Sequence, residues 1–335
     1  MSGTEFTVAL LRWFAQYGRE LPWRGIGDAY AIWVSEVILQ QTRIDQGTAY
    51  WYRFMERFPT VQHLAAASED EVLRLWQGLG YYSRARNMHA AARQIVEQGG
   101  FPHSIQGLKA LKGVGDYTAA AVGSMAFGLP AAAVDGNVYR VLARHYGIDV
   151  PINTTRGKHT FEALAQELLP RDAAGTFNQA MMDFGATWCT PRLPRCQDCP
   201  VAPTCDALHT GRVLELPVKE NKVKMRERRL SYIYVRHGDM TALRRRPAGD
   251  IWQGLWEPLL VEDAPPPDLG CPLTLLASGV KHVLTHRILL ADFYLAEPAV
   301  RPVLPPDYVW IKEREIGNYA LPRLVEKLFK QFTLL

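Results

Sequence analysis

The sequence predicts a mainly α-helical N-terminal domain followed by a smaller α+β domain. The chain has 335 residues, more than a single small core usually organises. Over residues 1–210, apolar side chains recur every three or four positions, which is the spacing of one helix face. After residue 211 this spacing gives way to short β-branched and aromatic runs, which are typical of strands. We therefore expect a helical domain over 1–210, a linker over 211–226 and an α+β domain over 227–335.

Local patterns predict the individual elements. Helices are expected where the apolar spacing is clearest, at 6–14, 32–39, 72–79 and 138–142, and again near the end at 321–332. Strands are expected in the second domain at 232–235, 280–284 and 288–295. Residues 219–229 are polar and basic, so this stretch is predicted to belong to the linker.

Composition and charge narrow the classes of protein. Hydrophobic residues make up 48% and charged residues 21% of the chain, as in folded globular proteins. The formal net charge of +4 is compatible with a nucleic-acid partner without requiring one. No apolar run approaches the ~20 residues that span a bilayer, and the first residues lack the pattern of a secretory signal. We expect a cytoplasmic monomer with no membrane partner.

Four cysteines lie close together in the sequence, at Cys189, Cys196, Cys199 and Cys205. Four thiolates suit either a tetrahedral zinc ion or an iron–sulfur cube. Zinc sites usually have two C-x2-C pairs, whereas this spacing contains one, which favours the cube. Arg192 and Arg195, between the first two cysteines, lie in a short loop suited to binding phosphates. Cys271 stands apart and is expected in the core of the second domain.

A phosphate-binding turn is predicted at Gly113 and Gly115, which flank a single valine just before a helix of small residues. Such a turn leaves backbone N–H groups at the helix N-terminus available to an anion. Asp135 follows at the start of another predicted helix. One interpretation is a helix N-cap. The other is a carboxylate that stabilises positive charge developing on a sugar.

Glu36 interrupts the otherwise apolar helix predicted over 32–39. Burying a charged carboxyl is expensive, so two interpretations remain. In the structural one, an arginine neutralises Glu36. In the functional one, desolvation raises the pKa of Glu36, which then donates a proton near neutral pH.

The turn, the Asp135 segment and the cysteine loop together resemble the helix-hairpin-helix DNA glycosylase superfamily, which includes endonuclease III. Four further segments, at 21–24, 33–42, 78–87 and 177–185, are similar to MutY-family adenine glycosylases. The resemblance implies a [4Fe–4S] cluster on the four cysteines. It also implies removal of adenine mispaired with 8-oxoguanine or guanine.

The resemblance assigns a role to each candidate site residue. Glu36 would protonate adenine and Asp135 would face the sugar, with Tyr117 and Asn137 as their hydrogen-bonding partners. Arg19, Arg24 and Gln179 would line the adenine pocket. Gln41 and Tyr81 would fill or wedge the gap that the extruded adenine leaves in the base stack. For Tyr81, core packing is the alternative. Relatives that cut the strand have a lysine at the position of Tyr117. Because a phenol cannot form an imine, we expect base removal without strand cleavage.

The second domain resembles the Nudix fold of 8-oxo-dGTP hydrolases at 241–247 and 254–258. The acidic signature that would hold catalytic magnesium is absent after Glu257, so a binding domain is expected. The resemblance places a lesion-reading loop at 280–287, where Thr285 and His286 would hydrogen-bond the oxidised base. Leu284 stands where the family often has phenylalanine, so stacking there is lost. A plain strand is the alternative.

The implied partner is double-stranded DNA that contains A·8-oxoG or A·G mispairs, which would associate the protein with a bacterial nucleoid. Residues 331–335 also resemble the glutamine-led peptides that dock on bacterial sliding clamps, with inward packing of a helix end as the alternative.

Two other functions stay open. One is a thymine- or uracil-specific mismatch glycosylase of the same superfamily, which can share Tyr117 and the cysteine loop. The other is a non-catalytic DNA-binding or redox-sensing module, although such a module needs neither Glu36 nor Asp135.

Overall fold

The computed structural model describes residues 3–220, 225–262, 264–284 and 286–332. The chain forms two compact units. The first comprises Met1–Ala65 and Ala90–Asn221, and the second comprises Ala66–His89 and Lys222–Leu335. Among the described residues, no helix is both long enough and apolar enough to cross a membrane.

Helices α1 to α12 fill the N-terminal part of the chain. They are α1 (Gly3–Tyr17), α2 (Ala29–Leu39), α3 (Ile44–Arg57), α4 (Val61–Ala66), α5 (Glu69–Leu75), α6 (Ser83–Glu97), α7 (Ile105–Ala110), α8 (Asp116–Phe127), α9 (Gly136–His145), α10 (Thr155–Leu168), α11 (Ala174–Thr187) and α12 (Asp206–His209). The predicted helical fold of this region is confirmed. The helix predicted over 72–79 ends at Leu75, because Gly78 and Gly80 adopt positive φ angles of 100° and 73° that break it.

The core of the first unit lies between α1, α9, α10 and α11. Phe6 and Leu10 of α1 are fully buried there with Phe161 of α10 and Phe177 of α11. Val141 and Leu142 of α9 join the same core. The core thus holds α9 against α11, and the residues just before and within α9 reach the candidate site. Aromatic and leucine side chains of this size each contribute roughly 1.5–3 kcal/mol when buried.

The second unit is built on a mixed sheet with β1 (Arg226–His237), β2 (Met240–Arg245), β3 (Trp256–Glu257), β4 (Leu259–Val261), β5 (Leu273–Val283), β6 (Arg287–Ala296) and β7 (Tyr308–Lys312). Its main path runs β3-β2-β1-β6-β5, with β4 paired to β1 and β7 to β2. Strands β1 and β6 are parallel and the other pairs are antiparallel. Helix α13 (Arg323–Gln331) packs Leu328 and Phe329 on the core of this unit. The predicted α+β class is confirmed.

The end of the predicted linker is strand instead. Residues 226–229 belong to β1, where they pair with 287–290 of β6. The basic side chains tolerate this because Arg228 is neutralised by Asp250 and Glu262 at 2.6–2.7 Å. Interpreting 219–229 as linker throughout is therefore wrong.

Residues 66–89 also depart from the sequence-based division, because they pack with the sheet of the second unit. Arg86 donates to the Gln253 carbonyl at 2.6 Å, and Arg245 binds Glu69 at 2.8 Å. Arg323 of α13 donates to the Gly78 carbonyl at 3.0 Å. These contacts are long-range and polar, so no local pattern predicts them.

The end of the described chain bears on the clamp-peptide hypothesis. Gln331 ends α13, and Phe332 packs on the core of the second unit, as the helix-end alternative predicts. Residues 333–335 lie outside the described residues.

Candidate active site

A cavity of about 910 Å³ in the first unit brings together eight of the predicted site residues: Arg19, Arg24, Glu36, Gln41, Tyr117, Asp135, Asn137 and Gln179. They come from α2, α8, α11, the segment at the start of α9 and the loops before and after α2, so the fold brings them together. The volume lies in the range of small-molecule sites.

Glu36 is buried in the wall of this cavity, with 7% of its surface exposed. Its Oε2 accepts a hydrogen bond of 2.7 Å from the Tyr117 hydroxyl. Burial raises the pKa of Glu36 to about 7, and the negative charge of Asp135 adds to this, while the Tyr117 hydrogen bond and the charge of Arg24 oppose it. Its hydrogen-bonding partner is therefore a phenol, where the structural interpretation required an arginine. Glu36 can hold a proton near neutral pH.

Tyr117 lies in the first turn of α8 and keeps its own proton. Burial and the neighbouring carboxyls Glu36 and Asp135 raise its pKa well above 10. The same hydroxyl lies 3.6 Å from the sulfur of Met182, a cavity residue that the sequence analysis did not single out. By donating this proton to Glu36 Oε2, the phenol fixes the orientation of that carboxyl.

Asp135 is the N-cap of α9 and also faces the cavity. Its Oδ1 accepts from the amides of Asn137 and Val138, each at 2.8 Å, and Oδ2 accepts from Asn137 Nδ2 at 2.7 Å. Burial raises the pKa of Asp135, and these hydrogen bonds and Arg140 oppose the rise. The N-cap interpretation is confirmed, and the same contacts hold the carboxylate at the cavity, while its role toward a sugar stays a prediction.

Asn137 is itself positioned by its neighbours. Arg140 donates to Asn137 Oδ1 at 2.8 Å and to the Gly185 carbonyl at 2.6 Å. A Cβ on Gly185 would lie 2.6 Å from the Cβ of Asn137, so only glycine lets α11 approach α9 this closely. The Asp135–Asn137 pair is therefore held from two sides.

Arg19 and Arg24 line the cavity, and both bind Asp183, which is fully buried on α11. Asp183 lies inside the segment 177–185, but the sequence analysis gave it no role. The available signal was a charge within a helix of mostly apolar residues. That signal resembles the one that marked Glu36.

The predicted phosphate-binding turn has the expected backbone form. Gly113 adopts φ 76°, and Gly115 is the extended N-cap residue of α8. A Cβ on Gly115 would meet nothing within 4 Å, so the backbone there lies open on that side. Its role toward phosphate stays a prediction.

Tyr81 lies in the second unit, whereas the cavity lies in the first. It is 53% exposed and adopts φ 47°, an uncommon value for a tyrosine that costs of order 1–3 kcal/mol. Tyr82 beside it is 4% exposed, so Tyr81 is the one of the two that can reach a ligand. In the first unit, Gln41 also has a positive φ, 61°, just after α2.

The predicted lesion-reading loop at 280–287 is a loop only in part, because residues 280–283 belong to β5 and Arg287 begins β6, as the strand alternative predicts. The turn between these two strands lies inside the predicted segment. Leu284 N donates to the Arg287 carbonyl at 2.8 Å, and the His286 carbonyl accepts from Arg226 N at 3.2 Å, which leaves the exposed His286 side chain at the tip. Thr285 lies outside the described residues.

The four clustered cysteines line one small cavity beside α9, and Arg144 donates to Cys189 Sγ at 3.4 Å. Within the described ranges, no three His, Cys, Asp or Glu side chains converge closely enough to hold a single metal ion. Cys271 packs against the core of the second unit, as predicted.

Residues 34–171 match the family model described as "HhH-GPD superfamily base excision DNA repair protein", and residues 231–331 match the NUDIX domain. A Homo sapiens adenine DNA glycosylase is 33% identical over 404 residues, which cover 98% of this chain and 74% of that protein. A Buchnera aphidicola (Schizaphis graminum) adenine DNA glycosylase is 33% identical over 254 residues, 75% of this chain and 73% of that protein.

The Mus musculus adenine DNA glycosylase is 44% identical over 228 residues, 64% of this chain, and the match spans 44% of that protein. Among solved structures, a thermostable thymine-DNA glycosylase is 28% identical with a TM-score of 0.58, over 62% of this chain and 97% of that one. An endonuclease III–DNA complex, at 23% identity and a TM-score of 0.54, covers 63% of this chain and 98% of that one and shares the fold.

The pKa of Glu36 predicts a pH-dependent stability. In the window between the unfolded value of 4.5 and the folded value of about 7, the folded state binds more protons, so stability falls as pH rises. The loss amounts to about 3 kcal/mol at alkaline pH. Glu36→Gln should remove it and unfold at higher denaturant concentration than wild type at about pH 8, with little difference near pH 4. An equal difference at both pH values would contradict the raised pKa.

Proposed function

The chain belongs to the adenine DNA glycosylase family, whose members hydrolyse N-glycosyl bonds, and on that premise we propose that it removes adenine from double-stranded DNA in base excision repair. Its substrate is adenine mispaired with 8-oxoguanine or with guanine. The observation that carries the proposal is that one cavity holds both Glu36, whose pKa burial raises to about 7, and Asp135.

The two carboxyls divide the chemistry between them. Adenine leaves poorly until it is protonated, typically at N7, and Glu36 supplies that proton. As the C1′–N9 bond breaks, its electron pair goes to the base and the sugar becomes positively charged. Asp135 stabilises that charge. A water molecule then adds to C1′ and releases a proton, which returns Glu36 to its protonated form. The charge of Asp135 helps to keep the proton on Glu36, so each carboxyl supports the state that the other needs.

The chain removes the base without cutting the strand. Strand cleavage by this superfamily requires an amine that attacks the sugar, and a phenol occupies that place at Tyr117. Among the described residues that line the cavity there is no lysine. Water is therefore the nucleophile available.

Recognition of 8-oxoguanine is assigned to the second unit. The lesion lies on the strand opposite the extruded adenine, and a polar turn can read its altered edge. The exposed imidazole of His286 at the tip of the β5–β6 turn can donate or accept a hydrogen bond. Thr285 would add a hydroxyl. The NUDIX match over 231–331 supports a domain that recognises an oxidised guanine.

A [4Fe–4S] cluster is proposed on Cys189, Cys196, Cys199 and Cys205. The donor set fits it, because four thiols line one cavity and Arg144 binds the sulfur of the first. Four cysteine thiolates are the usual ligands of an iron–sulfur cube. Its part is structural: it would hold the loop with Arg192 and Arg195 in a shape that binds DNA phosphates.

The first test is base release from a duplex with one A·G pair. Asp135→Asn and Glu36→Gln should each slow adenine release by at least about 100-fold and leave duplex binding nearly unchanged, because both groups act in the transition state. The matched controls Asp149→Asn and Glu162→Gln change carboxylates that do not line the cavity and should keep full activity. Near-wild-type release by either site variant would refute its role.

The same assay includes a G·T duplex and borohydride. Release of thymine with adenine left intact would favour the thymine mismatch glycosylase. That alternative draws on the 28% identity to the thymine-DNA glycosylase structure. Efficient trapping of a Schiff base would contradict hydrolysis by water.

A second test concerns the metal. The purified protein should contain about four iron atoms per chain and absorb broadly near ~400 nm. Cys199→Ser should lose both, whereas Cys271→Ser, which removes the isolated thiol, should keep them. One zinc atom and no iron would overturn the cluster.

A third test concerns the lesion. His286→Ala should reduce the preference for A·8-oxoG over A·G by roughly tenfold, the worth of one or two base contacts, and leave A·G processing nearly unchanged. Adding Thr285→Val should reduce it further. His237→Ala, in the same unit, is the matched control. Equal loss on both duplexes would mean that the turn supports folding or general binding, and full retention would place lesion reading elsewhere.

A further inference from the structure

Asp183 is a fully buried carboxylate that binds two arginines at once. Arg24 Nη1 donates to Oδ2 and Nη2 to Oδ1, each at 2.8 Å. The Arg19 amide donates to Oδ2 at 2.8 Å, and Arg19 Nε, together with Nη2, donates to Oδ1. Although burial raises its pKa, these bonds hold the pKa of Asp183 below its ordinary value. The carboxylate is therefore charged at any pH at which the protein works.

The two arginines form part of the wall of the same cavity as Glu36. Without a counter-ion, two guanidiniums would repel each other there and seek the nearest carboxylates. Both terminal nitrogens of the Arg24 guanidinium are engaged in hydrogen bonds. Each binds Asp183, and Nη1 also donates to the Arg19 carbonyl at 2.7 Å. Its geometry thus directs the guanidinium toward α11 and not toward Glu36.

We propose that Asp183 is a positioning residue for the proton donor: it holds Arg24 against α11, so that the guanidinium lines the base cavity without pairing with Glu36. The inference rests on the proposed function only in taking Glu36 as the donor. A cation that paired directly with Glu36 would keep it ionised and unable to protonate a base.

Several charged and titratable groups face Glu36. Tyr117 does so from α8, Asp135 from the start of α9, and Arg24 from the loop before α2; Arg19 is linked to them through Asp183. Arg24 already opposes the raised pKa of Glu36 from its restrained position. Release from Asp183 would strengthen that opposition.

The test is the pH profile of single-turnover adenine release from an A·G duplex. The rate should fall as pH rises through the titration of Glu36. In Asp183→Asn this alkaline limb should move to lower pH by about one unit or more, so that the rate at about pH 8 drops roughly tenfold while the rate at acidic pH is largely kept. Asp183→Glu, which restores the charge, should move the limb back. Thr187→Ala removes only a hydroxyl bonded to the Asp183 carbonyl and should leave the limb in place.

A double variant shows whether Asp183 acts through Arg24. In the Arg24→Met background, Asp183→Asn should no longer move the limb, and this comparison also serves if the single Asp183→Asn protein does not fold. An unmoved limb in Asp183→Asn, a loss of rate that is equal at every pH, or a further shift in the double variant would overturn the proposal. Absence of adenine release by the wild-type protein would instead overturn the proposed function.

Discussion

The hydrogen bond of 2.7 Å from the Tyr117 hydroxyl to Glu36 is the contact on which the rest of the site depends. It joins α8 to α2 in the wall of the cavity, and it fixes a carboxyl whose pKa burial raises to about 7. Because the phenol keeps its own proton, it cannot take the one that Glu36 carries. Glu36 can therefore transfer its proton to a group that enters the cavity.

The second carboxyl, Asp135, has a different set of hydrogen-bonding partners. Asp135 receives three hydrogen bonds from the first turn of α9, which stabilise its charged form. Arg140 and the close approach allowed by Gly185 hold the Asn137 side chain that supplies one of them. Burial raises the pKa of both carboxyls, but Asp135 accepts three hydrogen bonds that oppose the rise, whereas Glu36 accepts one from a phenol.

The fold class and most of the residues that line the cavity could be predicted from the sequence. Glu36 was recognisable because it interrupts an apolar helix, and Asp135 because it begins one. Asp183 is likewise a charged residue in a mostly apolar helix. Its partners Arg19 and Arg24 lie 164 and 159 residues away along the chain, so no local pattern could predict these ion pairs. The strand at 226–229 and the packing of residues 66–89 were missed for the same reason: each depends on pairing with distant residues.

The central claim is that Glu36 holds a proton near neutral pH because burial raises its pKa to about 7. Infrared difference spectroscopy of the wild-type protein against Glu36→Gln measures this directly, because a protonated carboxyl has a C=O stretch that the carboxylate lacks. The account predicts a protonated carboxyl band that belongs to Glu36, is present under mildly acidic conditions and disappears as pH rises through about 7. A Glu36 that is already ionised near its ordinary pKa of 4.5 would contradict it.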